Sequence, residues 1–207
     1  DAVLLAKELL AEILLEIFSC ESPKILYWEV WDKLFRKDII TNIQFDESID
    51  SAEDMLFFWQ AMKNVNRFAY VPSFKYHYRM RDGSAVHSGI TAKKLSANKA
   101  IQRIWQLAQY ENERIKNVVF LHYVVFMISL TKDMILYNDS SYEADIKLNQ
   151  KTIRNNLPII LKNSFVIGKR IAVGSLIMCL PFQLCTAVFR MICNKNRENI
   201  FRVIHRK

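Results

Sequence analysis

Glycine and proline are scarce in this chain, with four of each in 207 residues. So few turn formers argue against a loop-rich all-β protein and favour long helices. Low hydrophobicity is missing too: 51% of residues are hydrophobic and 12% aromatic, which excludes intrinsic disorder. The four cysteines, Cys20, Cys179, Cys185 and Cys193, form no CxxC pair and have no histidine at ligand spacing. A zinc site or a disulfide framework does not fit that pattern; reduced, buried thiols in a cytosolic setting do. The chain opens at Asp1 without a methionine or a signal-peptide pattern, as a piece of a longer protein would. Acidic residues nearly vanish from the last quarter. Residues 157–207 hold nine Lys and Arg against Glu198 alone, whereas residues 1–156 hold twenty of each sign, so the tail carries the whole net charge of +8. The balanced majority argues against a nucleic-acid partner.

Hydrophobic periodicity outlines the elements. Residues 2–19 repeat apolar side chains at i, i+3, i+4 and i+7, which predicts an amphipathic helix. A second short helix is expected over 28–40, with Trp31, Leu34 and Phe35 on one face, and a third over 52–65. Residues 67–81 switch to period two. Phe74, Tyr76 and Tyr78 alternate there with Lys75, His77, Arg79 and Arg81, as in a strand, with Pro72 marking a bend or an edge. Two or three helices are expected from Thr91 to Tyr137, and another over 143–164, interrupted near Pro158.

Between Arg170 and Arg190 lie nineteen uncharged residues, IAVGSLIMCLPFQLCTAVF. That is close to the length of a membrane span, about 20 residues, but Pro181 and Gln183 sit mid-stretch. The pattern predicts an interfacial pair of helices, with Lys169, Arg170, Arg190, Lys195 and Arg197 reaching for anionic head groups. The alternatives are a buried C-terminal helix of a soluble domain and a true transmembrane span.

The segment FDESIDSAEDMLFFWQAM, residues 45–62, packs carboxylates directly ahead of an apolar run. Ser51-Ala52-Glu53-Asp54 has the form of a capping box. In it Ser51 accepts from the Asp54 amide and Asp54 accepts from the Ser51 amide. The other acids would favour the positive end of the helix, and an acid there has its pKa lowered. A catalytic reading is also open, in which one carboxylate accepts a proton from an attacking hydroxyl.

The ordered set WDKLFRKDII, then IQFDESIDSAEDMLFFWQA, then FAYVPSFKYHYRMRDGSAVHS resembles the second half of the catalytic domain in family 2 glycosyltransferases of the GT-A fold. It is most similar to bacterial enzymes that build capsular polysaccharide or exopolysaccharide. The resemblance spans about residues 25–90. Trp31, Lys33, Leu34, Phe35, Arg36, Phe45, Asp46, Glu53, Asp54, Val71, Pro72, Tyr76, Tyr78, Arg79 and Ser84 match in order and spacing.

The resemblance implies a helix-dominated α/β fold. The C-terminal part of a GT-A sheet, with strands near 43–46 and 67–80, would occupy residues 1–90. A helical region would follow over 91–207, ending in the membrane-seeking tail 157–207. It implies transfer of a sugar from a nucleotide-sugar donor to a saccharide or lipid-linked acceptor, at the inner face of the cell membrane. Asp54 would be the general base and Glu53 its neighbour at the acceptor. Trp31 would be a plate for a sugar ring, or alternatively a buried tryptophan. Lys75, His77, Arg79 and Arg81 would assist the diphosphate, or alternatively form a solvated edge, and Lys33 would touch phosphate or merely cover the surface. The divalent metal, Mg or Mn, would be held mostly by residues of a nucleotide-binding half that does not precede Asp1. This chain alone would then turn over little. His77 and His87 lack a partner at ligand spacing, so no metal site is expected among the residues present. A non-catalytic, membrane-associated helical scaffold is the competing function, with the acidic turn as nothing more than a cap.

Overall fold

A computed structural model describes residues 3–6, 28–71, 76, 77, 79 and 90–204; of residues 3–6, 70, 166 and 194–204 it describes the backbone alone. The described chain is helix-dominated. In order it comprises β1 (Val3–Ala6), α1 (Lys37–Ile40), α2 (Glu53–Lys63), β2 (Arg67–Tyr70), α3 (Ala92–Leu95), α4 (Ala97–Ala108) and α5 (Glu113–Tyr137). A short 3-10 turn (Ser140–Tyr142) leads to α6 (Glu143–Lys162), α7 (Ser164–Ile167), α8 (Lys169–Met178) and α9 (Phe182–Ile204). Packing divides it into two compact units, Asp1–Tyr123 and Val124–Lys207, whereas the boundary expected at residue 90 rests on sequence motifs.

In the first unit, α2 is the central helix. Met55, Leu56, Phe57, Phe58, Trp59, Ala61 and Met62 are all buried, so the helix is covered almost all round. A fully buried side chain of the size of Phe58 contributes roughly 1.5–3 kcal/mol relative to an exposed one. The preceding loop is pinned to it by rings: Phe45 stacks on Phe57 at 4.4 Å, and Phe35 meets Phe57 edge-on at 5.9 Å. α4 packs against α2 and buries Ala97, Ala100, Ile101 and Ile104, spaced for one helical face.

Several expectations need correction here. Residues 3–6 are not helical; Val3–Ala6 pairs antiparallel with Arg67–Tyr70, Val3 opposite Tyr70 and Ala6 opposite Arg67. A short apolar run such as VLLA carries no periodicity that separates strand from helix, and the partner lies some sixty residues away. Residues 7–19 lie outside the described residues. Only Lys37–Ile40 of the segment 28–40 is helical. Its aromatics are drawn to different partners: Trp28 to His122, Trp31 to Tyr76 and Phe35 to Phe57. Leu34 is fully exposed, so no common face forms. Residues 43–46 are irregular, and the expected strand over 67–80 is described only as Arg67–Tyr70, with residues 71, 76, 77 and 79 irregular. Residues 72–75, 78 and 80–89, including Arg81, His87 and the DGS turn, lie outside the described residues. The described pairing is a two-stranded antiparallel ladder.

In the second unit α6 runs unbroken through Pro158, against the interruption expected there. A proline inside a helix costs about 3 kcal/mol, but Ile153 and Ile160 on either side are completely buried and hold the helix together. Asn163 ends it, its amide donating to the Ile159 and Ile160 carbonyls and its Nδ2 to the Ile159 carbonyl at 2.8 Å. Gly168, at φ 83°, turns the chain between α7 and α8 in a region that side chains avoid. The expected helix pair of the tail forms, with the break at Pro181. α5 is the one described helix long and apolar enough to cross a membrane, and 67% of its most apolar window is buried within the fold, as in a core helix.

Candidate functional site

The five carboxylates of the acidic segment separate by role. Asp46 Oδ1 accepts from the Ser48 amide at 3.0 Å, closing a small turn, and its bonds from Ser48 hold its pKa below the usual carboxylate value. The Asp50 amide donates to Ser96 Oγ at 2.8 Å, tying the loop to the start of α4.

The capping box does not form. Ala52 is the N-cap residue of α2, with φ 64° and ψ 19°, and makes no side-chain cap bond. With the backbone turned left-handed there, Ser51 is out of reach of its target. Asp54 Oδ1 instead accepts from the Met55 amide at 2.7 Å. A non-glycine residue in this region costs about 1–2 kcal/mol. That strain sits immediately before the Glu53-Asp54 pair.

The pKa of Asp54 moves opposite to expectation. It is raised, first because burial penalises its charge, and further by the charges of Glu53 and Glu29. The bond from the Met55 amide pulls it down by more than either neighbouring charge raises it, but by less than burial does. The positive end of α2 was expected to lower it. Desolvation wins because α2 enters the core within its first turn, Met55 being 1% exposed.

The loop 28–33 lies beside this turn. Glu29 acts on Asp54 and buries one carboxylate oxygen, Oε2, without a hydrogen-bond partner. The Lys33 ammonium donates to the Glu29 carbonyl and to Asp32 Oδ1, both at 2.6 Å, and stands 5.3 Å from the centre of the Phe58 ring. It thus ties the loop to α2. Trp31 is 42% exposed rather than buried. Its ring lies 4.2 Å from that of Tyr76, 51% exposed, the two tilted by 32°. His77 and Arg79 are exposed nearby in sequence.

Sequence reasoning passed over Glu29 and gave Tyr76 no site role. Tyr76 had a signal, its alternation with the basic residues. Glu29 had none, because it was assigned to a helix that does not form.

Among the described residues no group of three or more His, Cys, Asp or Glu side chains is gathered to hold a metal ion. Cys179, Cys185 and Cys193 are free thiols. Burial pushes Cys185 up to about 11 and raises Cys179, which leaves both unreactive at neutral pH. Comparison of the chain with protein-family models, with curated proteins and with solved structures found no match.

Proposed function

We propose that this chain is the acceptor-side half of a family 2 glycosyltransferase, acting on a saccharide or lipid-linked acceptor at the cytoplasmic face of a membrane. The observation that carries the reading is the state of Asp54: half-buried, raised in pKa, held by one amide and not consumed by a cap. A carboxylate of raised pKa is a stronger base once ionised. The acceptor hydroxyl oxygen attacks the anomeric carbon of the donor sugar while the bond from that carbon to the nucleotide diphosphate breaks. Asp54 takes the hydroxyl proton on Oδ2, with Oδ1 steadied by the Met55 amide. The departing diphosphate is neutralised by cations, toward which His77, Arg79 and Arg81 contribute. Trp31 and Tyr76 together make an apolar plate against which the acceptor sugar packs.

Titration of the chain with oligosaccharides, followed by calorimetry and by shifts of the tryptophan ring signals in NMR, tests the plate. Binding is expected for the parent and lost on Trp31→Ala, with the fold intact. In a protein joining this chain to a nucleotide-binding half, Asp54→Asn should cut sugar transfer by at least about a hundredfold at unchanged acceptor affinity. Unchanged transfer would remove the base.

A further inference from the structure

The boundary between the compact units also separates the charge. Residues 1–123 hold sixteen Lys and Arg and sixteen Asp and Glu, while residues 124–207 hold thirteen against five. The whole net charge of +8 belongs to the second unit.

That unit also leaves apolar side chains uncovered. Along α8, Lys169, Arg170, Val173 and Leu176 are exposed, at i, i+1, i+4 and i+7. Ala172, Ser175 and Met178 occupy its other side and are buried. α8 is thus apolar on both sides but covered on one. The first turns of α9 repeat the pattern. Leu184, Ala187, Arg190 and Met191 are exposed on one side, while Cys185 and Phe189 are buried on the other. Phe165, in the corner before Gly168, is 95% exposed.

We propose that the second unit is a membrane-docking module, in which the outward sides of α8 and α9 and the Phe165 corner rest on an anionic lipid surface. Charge selects this occupant. A second copy of the chain would bring the same basic face and be repelled, whereas acidic head groups meet Lys169, Arg170 and Arg190. Val173, Leu176 and Leu184 then sink to the level of the acyl boundary. The buried sides of the same helices stay in the protein core, so docking needs no unfolding. The proposal stands apart from the transferase reading, because it uses no residue of the Asp54 site.

Flotation of the full chain with vesicles tests it, using phosphatidylcholine alone and phosphatidylcholine mixed with phosphatidylglycerol. Binding is expected to the mixed vesicles only, and to weaken as salt rises. Lys169→Glu with Arg170→Glu should weaken it by at least about tenfold, and Leu176→Asp by a similar factor, each with an unchanged circular dichroism spectrum. Equal binding to both vesicle types, no binding to either, or variants that bind like the parent would overturn the proposal. So would a dimer in light scattering that Leu176→Asp dissociates, since the face would then be an interface between copies.

Discussion

Asp54 is where burial and backbone geometry compete most directly. Its pKa is raised on folding, so the folded state holds the proton more tightly than the unfolded chain does. Ionising the group therefore costs stability as pH rises through its folded pKa, and that cost is absent below the ordinary carboxylate value of 3.8. Asp54→Asn keeps an oxygen for the Met55 amide and removes the charge. The variant should be at least as stable as the parent at pH 7 in chemical denaturation, with the difference fading toward pH 3. A capping role predicts instead a loss of about 1 kcal/mol, so a clear loss at neutral pH would restore the cap. Ala52, at φ 64°, gives a second residue-scale test. Ala52→Gly should be neutral or stabilise by up to about 1 kcal/mol. Ala52→Val should destabilise by about 1–2 kcal/mol, because a branched side chain fits a positive φ poorly.

At the scale of the element, the break at Pro181 needs help from outside its own helices. Proline carries no amide hydrogen, so carbonyls at the end of α8 lose their helical donors. α6 supplies replacements. Gln150 Nε2 donates to the Met178 carbonyl at 3.0 Å and to the Leu180 carbonyl at 2.9 Å, and Arg154 donates to Leu180 at 2.7 Å. Gln150 is buried, so Gln150→Ala leaves the Met178 carbonyl unsatisfied. It should cost about 1–3 kcal/mol in urea unfolding; a loss below a few tenths would mean that water replaces the bond. Gly174 is the other critical point of α8. A Cβ there would stand 2.8 Å from Ile128 Cγ2, so Gly174→Ala forces Ile128 to move. We expect destabilisation of about 1–3 kcal/mol in urea unfolding. The same packing explains why Pro158 does not end α6, since the helix is held by what it buries and not by its own ladder alone.

For the whole molecule, the division of charge matters more than its sum. One unit is neutral and the other carries +8. Like charges concentrated in one compact unit repel one another, and salt screens them with a Debye length of about 10 Å at 0.1 M. Raising the salt concentration should therefore raise the melting temperature of the chain, measured by circular dichroism in sodium chloride. A melting temperature that falls or stays level would mean that local ion pairs, such as Lys147 with Glu143, already balance the charge.

Much of the architecture could be read from the chain because its cause is local. The helix at 53–63 follows from a compact apolar run behind a turn, and the three helices between Ala92 and Tyr137 follow from periodicity and few breakers. The tail splits at Pro181, a residue without an amide donor, although the same residue type at Pro158 leaves α6 unbroken. The charge asymmetry is likewise a property of composition. Tertiary structure decided whatever depends on a distant partner. Val3–Ala6 is a strand because Arg67–Tyr70 pairs with it, and the aromatics of 28–35 meet Tyr76, Phe57 and His122 where a helix was expected. The acidic turn shows the same divide: its residue types suggested a site and a cap alike. Only the left-handed Ala52 and the desolvating core under α2, neither visible in a local window, turned Asp54 from the Ser51 amide and raised its pKa.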